Sequence, residues 1–111
     1  DDFNINIDQI EKLITKKTKA IIPVHLYGQP CEIDKLVEIA RKHNLYVIED
    51  CAQAMGAKYK GKVVGTFGDI GTISFFPTKN LGAFGDAGAI LTNNDEIAEK
   101  FRQLRVHGSS K

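Results

Sequence analysis

The chain has 111 residues, of which 42% are hydrophobic and 26% charged, a balance typical of one globular domain or of part of a larger one. Its formal net charge is +1 and its lysines are scattered, without the basic stripe and interleaved aromatic residues of a nucleic-acid-binding surface. No apolar run is long enough to cross a bilayer and no signal-peptide pattern opens the chain, so we predict a cytoplasmic protein with no membrane partner.

The two cysteines, Cys31 and Cys51, lie twenty positions apart. Metal-binding cysteines are typically separated by only a few residues, and this pair is not. Disulfides are also rare in cytosolic proteins. We therefore predict two reduced thiols and no metal site.

The first two predicted elements are a helix and a strand. Residues 8–17 carry apolar residues on one face, and Asp8 with Glu11 three positions later resembles a capping box. The apolar run at 20–24 is short enough to be a buried strand. Pro23 has no N–H to donate, which argues against a central position in a sheet ladder.

The next segments predict a parallel strand–helix–strand unit. Residues 25–30 are a predicted loop, and residues 33–43 are a helix with one apolar face, ended by Asn44 in a left-handed conformation. The apolar run 45–49 is the next strand, and it ends at Asp50. A strand, a helix and a strand within about thirty residues are typical of a right-handed parallel unit.

The second half of the chain predicts shorter elements. Residues 51–57 indicate one helical turn, and residues 59–64 indicate a hairpin around their Lys-Gly pair. Two further apolar runs, 70–76 and 87–92, predict buried strands.

A helix is predicted over residues 95–107, capped by Asn93 or Asn94 and stopped by Gly108. We expect three of its apolar residues to point inward: Ile97, Phe101 and Leu104.

One short sequence pattern occurs twice, as GTFGDIG at 65–71 and GAFGDAG at 82–88. Seven residues are too few for a structural repeat of any known period. The pattern predicts two turns with similar requirements for glycine.

Two polar residues follow predicted strands at the edge where an open α/β sheet binds ligands. Asp50 follows the strand at 45–49, and Lys79 follows the strand at 70–76 after a short turn. Both would be partly desolvated, and desolvation favours the neutral amine that attacks carbonyls. Lys79 is thus placed where a Schiff base could form. Alternatively, Asp50 caps the following turn and Lys79 extends into water.

Four segments carry a resemblance to a known family. They are TKAIIPVHLYGQP at 18–30, IEDCAQAMGA at 48–57, ISFFPTKNLGAFGDAGAI at 73–90 and LRVHG at 104–108. Their order and intervals together resemble the DegT/DnrJ/EryC1/StrS family of sugar aminotransferases, which are pyridoxal-phosphate enzymes of fold type I. The resemblance implies an α/β fold with a mostly parallel sheet flanked by helices. It also implies that residues 1–111 are the central part of the large cofactor-binding domain, without the N-terminal segment and the small C-terminal domain.

The resemblance implies cofactor-binding roles for five residues. Lys79 resembles the lysine that holds pyridoxal phosphate as an internal aldimine and then carries the proton. Asp50 resembles the acid that keeps the pyridine nitrogen protonated, so that the ring can accept electrons. Gln53 resembles the residue near the 3-hydroxyl of the ring, Ala52 the small residue against one ring face, and Ser74 a hydroxyl donor to the phosphate.

Each of the weaker assignments has an alternative. Gln53 could cap the following turn, and Ser74 could bond a backbone carbonyl in the core. His25 and His107 are candidates for substrate binding near the cofactor. His25 could equally be a structural histidine, and His107 could serve only to stabilise the negative C-terminal end of its helix.

The resemblance implies an activity for a longer parent enzyme. That enzyme would move an amino group from glutamate or glutamine to a nucleotide-linked keto sugar, as in polysaccharide biosynthesis, and would be a homodimer with sites between subunits. A sister group of sugar dehydratases has histidine in place of the lysine, so Lys79 favours amino transfer. Because the family's enzymes are much longer, we expect this chain alone to be inactive.

Two other classes of protein share some of these features. A response-regulator receiver has an acidic pair, as at Glu49 and Asp50, and a lysine, as at Lys79. In a receiver, however, the acidic pair closes the first strand, and here it closes a later one. A nucleotide-binding module would need the glycine spacings GxGxxG or GxxxxGK[ST], and the sequence has neither.

Overall fold

The computed structural model describes residues 3–109 of the chain. Three helices occur there: α1 (Ile7–Leu13), α2 (Ile33–Lys42) and α3 (Asp95–Arg105). Within the same residues there are six strands: β1 (Ala20–Ile21), β2 (Tyr46–Asp50), β3 (Lys58–Tyr59), β4 (Lys62–Val63), β5 (Ile70–Ser74) and β6 (Gly88–Leu91). A short 3₁₀ helix, Leu26–Gly28, lies within the predicted loop.

Four of these strands form one sheet in the order β1-β2-β5-β6. The β1–β2 and β2–β5 pairs are parallel, and β6 returns antiparallel to β5. The two short strands β3 and β4 form a separate antiparallel hairpin, as predicted. The mostly parallel α/β sheet predicted from the sequence is therefore confirmed.

Helix α1 is shorter than predicted and has a different cap. The side chain of Asn6, not Asp8, accepts a hydrogen bond from a backbone N–H in the first turn. The helix stops at Leu13, and Thr15 N–H then donates to the hydroxyl of Thr18 at 3.0 Å. A local side-chain acceptor of this kind offers the backbone an alternative to helix, which explains why residues 14–17 leave it.

The predicted strand at 20–24 is interrupted at Pro23. Only Ala20 and Ile21 form ladder pairs with β2, and Val24 then makes one isolated parallel bridge to Asp50. Pro23 contributes its carbonyl, which accepts a hydrogen bond from Asp50 N–H at 2.8 Å. The missing N–H of proline therefore breaks the strand without detaching it from β2.

The core lies between α2 and one face of the sheet. Ile33, Leu36 and Ala40 of α2 are fully buried, and Val47 of β2 is fully buried with them. Asn44 ends the helix with φ 53°, the left-handed stop predicted from the sequence. This packing fixes β2, and so fixes the residues that follow its last position.

The hairpin is tied to α2 through one carboxylate. Tyr59 donates its hydroxyl hydrogen to Asp34 at 2.8 Å, and the ammonium of Lys60 lies 2.5 Å from the other oxygen of Asp34. The Lys60 and Tyr59 hydrogen bonds lower the pKa of Asp34 to about 2. This contact anchors the hairpin beside the core.

Residues 51–57 do not form the predicted helical turn. Ala54 N–H bonds Cys51 O, Ala57 N–H bonds Ala54 O, and Gly56 lies between them with φ 79°. A left-handed glycine cannot continue a right-handed helix, so the segment folds as two successive turns.

Helix α3 begins as predicted, but it ends at Arg105, before the predicted end at residue 107, and its packing differs. The side chain of Asn94 accepts a hydrogen bond from Ile97 N–H at 3.0 Å, and Gly108 has φ 79° after the last turn. The prediction that Leu104 points inward is wrong, because its side chain is 68% exposed. An open groove separates α3 from β5 and β6, and this leaves the apolar face of the helix only partly covered. No helix within residues 3–109 is long and apolar enough to span a bilayer.

Candidate functional site

The carboxyl ends of β2 and β5 lie side by side at one edge of the sheet. Asp50, the last residue of β2, pairs with Thr72, and Ser74 ends β5 two residues later. Since β6 begins at Gly88, opposite Ser74, the connection between β5 and β6 also lies at this edge. The sequence-predicted residues 50, 52, 53, 74 and 79 therefore all belong to segments that meet at this edge, which we call the cofactor edge after the role that the sequence resemblance implies for them.

Asp50 and Ser74 present their side chains on the same face of the sheet. Residues paired across strands share a face, and so do residues two positions apart. From strand spacing and rise, their Cβ atoms are about 8 Å apart. Between them lies the side chain of Thr72, which donates to the carbonyl of Glu49 at 3.2 Å. This face therefore carries a carboxylate and a hydroxyl at a separation suited to a small flat ligand.

Asp50 uses one carboxylate oxygen locally and keeps the other available. Its Oδ1 accepts a hydrogen bond from Ala52 N–H at 3.0 Å, as in the turn-capping alternative. Its Oδ2 accepts no hydrogen bond from any residue between 3 and 109, and the residue is half-buried. Capping and ligand binding are therefore compatible, because they use different oxygens.

Ser74 also has one hydrogen-bonding position in use. Its Oγ accepts a hydrogen bond from Phe76 N–H at 3.2 Å, so the hydroxyl hydrogen remains able to donate. Opposite it, a Cβ on Gly88 would lie 2.8 Å from Ile73 O, which explains the glycine there. The core alternative predicted for Ser74, a bond to a buried carbonyl, is not what is observed.

Lys79 lies in the turn beyond β5. Its backbone N–H donates to Phe76 O at 2.8 Å, and its side chain is half-buried. Within the described part of the chain, its ammonium makes no hydrogen bond or ion pair. The turn is tight, because a Cβ on Gly82 would collide with the carbonyl of Pro77. The backbone therefore holds Lys79 at the cofactor edge while its amine stays available.

Gln53 and Ala52 connect the cofactor edge to the loop after β1. Gln53 Oε1 accepts a hydrogen bond from Tyr27 N–H at 3.1 Å, which supports a left-handed Tyr27 with φ 55°. Gln53 therefore caps a distant turn, and not the following one that the sequence suggested. Ala52 is half-buried and contributes its N–H to Asp50.

The two histidines lie in different environments. His25 is fully buried, its Nε2 lies 3.1 Å from Glu49 Oε2, and its Nδ1 accepts a hydrogen bond from Cys31 N–H at 3.2 Å. Both ring nitrogens are thus engaged inside the protein, which corresponds to the structural-histidine alternative and leaves no ring atom for a substrate. His107 is exposed, with φ 60°, in the turn after α3.

Sequence reasoning missed Glu49, the most highly coordinated side chain near the site. It is fully buried and accepts four hydrogen bonds, from His25 and from the backbone N–H groups of Gly65, Phe67 and Gly68. Burial alone would raise its pKa, but these four donors together hold the pKa below its usual value. The available signal was a charged residue inside an apolar strand, followed by a glycine loop rich in free backbone donors.

Glu49, His25 and Cys51 bring potential metal ligands within 4.8 Å of one another. Burial and, to a lesser extent, the nearby carboxylates of Glu49 and Asp50 raise the pKa of the Cys51 thiol to about 12. A neutral thiol is a poor metal ligand, and three backbone N–H groups already point at the Glu49 carboxylate. The chemistry of this cluster therefore favours a hydrogen-bonded core over a metal centre. Within residues 3–109, Cys31 and Cys51 form no disulfide.

Comparison with known proteins gives consistent matches. The profile of the DegT/DnrJ/EryC1/StrS aminotransferase family matches residues 1–111. A pleiotropic regulatory protein of Geobacillus stearothermophilus is 63% identical over 107 residues, which are 96% of this chain and 29% of that protein. A UDP-N-acetyl-3-dehydro-alpha-D-glucosamine 3-aminotransferase of Acidithiobacillus ferrooxidans is 56% identical over 107 residues, with the same coverage of 96% and 29%. The chain thus spans less than a third of the length of these relatives.

Solved structures match over the same region. DesV of Streptomyces venezuelae, in complex with a ketimine intermediate, superposes with a TM-score of 0.92 and 47% identity, over 97% of this chain and 29% of DesV. A GDP-4-keto-6-deoxymannose-3-dehydratase with a trapped PLP-glutamate geminal diamine superposes with a TM-score of 0.86 and 34% identity, over 96% of this chain and 28% of that enzyme.

Proposed function

Because this chain belongs to the DegT/DnrJ/EryC1/StrS aminotransferase family, we propose that it is the cofactor-holding part of a pyridoxal-phosphate-dependent sugar aminotransferase. Its α/β fold is that of the type I enzymes that it matches. The observation that carries the proposal is the placement of Asp50, Ser74 and Lys79 at one edge of the sheet. A carboxylate, a hydroxyl and an amine meet there in adjoining segments.

The residues present fit pyridoxal phosphate. The available Oδ2 of Asp50 would accept a hydrogen bond from the pyridine nitrogen, and the hydroxyl of Ser74 would donate to the phosphate. These two side chains share a face at a separation of about 8 Å, so one flat ring with a phosphate arm could reach both. The half-buried amine of Lys79 has no partner within residues 3–109 and would reach the aldehyde.

When bound, pyridoxal phosphate supplies an aldehyde that condenses with amines and a protonated ring that accepts electrons from a carbon losing its proton. Lys79 Nζ would hold the cofactor and would carry a proton to and from the reacting carbon. Asp50 would accept a hydrogen bond from the protonated pyridine nitrogen and so hold a proton there. Ala52 would keep one face of the ring accessible, and Gln53 would support the ring hydroxyl.

We further propose that the substrate is a nucleotide-linked keto sugar and that the amino donor is glutamate or glutamine. Support comes from the relative named for amination of a UDP-linked dehydro sugar and from the structure that holds a PLP-glutamate adduct. The parent protein would be a homodimer. Sugar dehydration is a second candidate, because a dehydratase is among the structural matches. The presence of Lys79 favours amino transfer.

An amino-transfer assay tests this function. The full-length protein would be incubated with pyridoxal phosphate, nitrogen-labelled glutamate and a panel of UDP-, dTDP- and GDP-linked keto sugars. We expect one sugar to gain labelled nitrogen, with matching formation of 2-oxoglutarate. If the sugar loses a hydroxyl group and gains no nitrogen, the activity is dehydration and not amino transfer. If neither product forms with any of these sugars, the proposed substrate class is wrong.

A further inference from the structure

We propose that Glu49 and His25 are positioning residues for the cofactor edge: together they fix the backbone that presents Asp50 and Gln53. This inference rests on the proposed function. Neither side chain reaches the edge itself, since both are fully buried on the opposite side of β2. Their effect would be exerted through the chain segments that they hold together.

Glu49 joins the end of β2 to the glycine loop before β5. Its Oε1 accepts hydrogen bonds from Phe67 N–H and Gly68 N–H, both at 2.7 Å. Its Oε2 accepts from Gly65 N–H at 2.7 Å and lies 3.1 Å from the ring of His25. All four donors converge on one carboxylate, which fixes the side chain in a single orientation.

His25 joins the same carboxylate to the segment after β1. Because its Nδ1 accepts a hydrogen bond from Cys31 N–H, its ring hydrogen is on Nε2 and points at Glu49. Its own backbone N–H donates to Asp50 O at 3.0 Å. One histidine therefore holds both the side chain of Glu49 and the main chain of Asp50.

The glycines of the loop make this arrangement specific. A Cβ on Gly68 would lie 2.7 Å from Val47 O, and a Cβ on Gly71 would collide with the backbone of Gly65. The loop therefore lies directly against β2, where its N–H groups can reach Glu49. This explains the first of the two similar glycine patterns by close packing around a buried carboxylate.

The fixed carboxylate controls the direction of the neighbouring side chain. Successive residues of a strand point to opposite faces, so anchoring Glu49 on the core side sets the direction in which Asp50 leaves the other side. The segment held by His25 also contains Tyr27, whose N–H is bound by Gln53. Asp50 and Gln53 thus take their positions from the same buried pair.

Asp69 provides a matched comparison at the other end of the same loop. Its carboxylate accepts a hydrogen bond from Val47 N–H at 2.8 Å and pairs with Arg41 at 3.1 Å. It anchors the loop to β2 as Glu49 does, but at the end of the strands away from the cofactor edge. A variant at Asp69 should loosen the loop without moving Asp50.

The test compares Glu49→Gln with Asp69→Asn in the full-length protein. A glutamine amide would point donor hydrogens at N–H groups, so Glu49→Gln should displace the end of β2. We expect kcat to fall roughly 10- to 100-fold, since small misplacements near the chemistry have effects of that size. KM for the amino donor should change much less, and the pH dependence of the bound cofactor's absorption should shift. Asp69→Asn should lower thermal stability and leave kcat and the absorption profile unchanged.

Histidine variants separate positioning from folding. His25→Gln retains an N–H donor for Glu49, whereas His25→Leu, of similar volume, does not. We expect the glutamine variant to keep clearly more kcat than the leucine variant. In the cofactor-free wild type, nitrogen NMR should show the His25 hydrogen on Nε2, a readout independent of activity.

The outcomes distinguish this inference from the proposed function. Suppose that the wild type binds cofactor and that Glu49→Gln and Asp69→Asn lose the same amount of stability while both keep the wild-type kcat. Glu49 and His25 would then be only structural, and the inference would be wrong. A hydrogen on Nδ1 of His25 would also overturn it. If the wild type does not bind pyridoxal phosphate at all, the proposed function fails, and the NMR result still reports on the buried pair.

Discussion

Glu49 and Asp50 are consecutive residues of β2, yet their carboxylates lie on opposite sides of the sheet in opposite environments. Glu49 is fully buried and saturated by four donors, whereas Asp50 is half-buried and accepts one hydrogen bond from Ala52 N–H. The Glu49 carboxylate holds segments of the protein together, whereas the Asp50 carboxylate remains able to bind a ligand. The alternation of a single strand thus separates an acid with every partner inside the protein from one with an oxygen available to a ligand.

Asp50→Asn should abolish most of the activity while leaving the fold intact. Asparagine keeps an oxygen for Ala52 N–H but loses the charge that would hold a proton on the pyridine nitrogen. We expect kcat to fall by roughly 100-fold or more, the size of the loss when one preorganised electrostatic contact is removed. Kinetics with matched thermal denaturation would measure this, with Asp8→Asn on exposed α1 as the control. A variant with normal kcat would exclude Asp50 as the partner of the ring.

Ser74→Ala should weaken cofactor binding more than it slows the reaction. The hydroxyl accepts from Phe76 N–H and would donate to the phosphate, so its loss removes one charge-assisted hydrogen bond. We expect the Kd for pyridoxal phosphate to rise about tenfold. Titration of the cofactor-free full-length protein would measure it, and Ser109→Ala serves as an exposed control. Unchanged affinity would place the phosphate elsewhere.

The buried pair predicts a specific dependence of stability on pH. The pKa of Glu49 is lower in the folded protein than its ordinary value of 4.5, so the unfolded chain binds more protons as the pH falls. Its contribution to the free energy of unfolding is therefore present above about pH 4.5 and is lost as the pH falls through the folded pKa. Glu49→Gln should cost about 3 kcal/mol at neutral pH.

Denaturation of the wild type and of Glu49→Gln at several pH values would measure this difference. The gap between the two should narrow as the pH falls below 4.5, because the unfolded wild-type chain then takes up a proton at Glu49 more readily than the folded protein does. A gap that stays constant across this range would mean that the charge of Glu49 does not contribute to stability.

Substitution by alanine should lower stability much more at Gly68 than at Gly85. Gly68→Ala would place a methyl group 2.7 Å from Val47 O, and backbone atoms cannot move aside cheaply. We expect a loss of about 3 kcal/mol in the free energy of unfolding. Gly85 has nothing within 4 Å of the same position, so Gly85→Ala should change stability by about 0.5 kcal/mol or less. Equal effects in urea denaturation would contradict the packing described for the loop.

The sequence predicted the sheet, and the placement of Asp50 and Lys79 at its edge, better than it predicted the contacts that link the segments there. Strands and helices followed from apolar periodicity, and the positions of Asp50 and Lys79 followed from the rule that ligands bind at the carboxyl ends of parallel strands. Residues 51–57 do not form the predicted helical turn because Gly56 has a left-handed conformation, which composition alone does not reveal.

The role of Glu49 could not be predicted, because its partners are backbone groups of residues 65–68, brought close only by folding. The contact between Gln53 and Tyr27 is non-local in the same way. Leu104 was expected in the core because periodicity indicates which face of a helix is apolar, but not how much of that face a neighbouring element covers.

We propose that Lys79 anchors the cofactor, and reductive trapping with borohydride can show whether it does. The full-length protein would be mixed with pyridoxal phosphate, reduced with borohydride, digested and mapped by mass spectrometry. Lys62→Ala is the matched control, since that ammonium is exposed and lies 4.4 Å over the ring of Phe67, away from the site. We predict the label on Lys79 in the wild type and in Lys62→Ala, and its loss with the yellow absorption in Lys79→Ala. If the label is spread over surface lysines, or is retained in Lys79→Ala, then Lys79 is not the anchor of the cofactor.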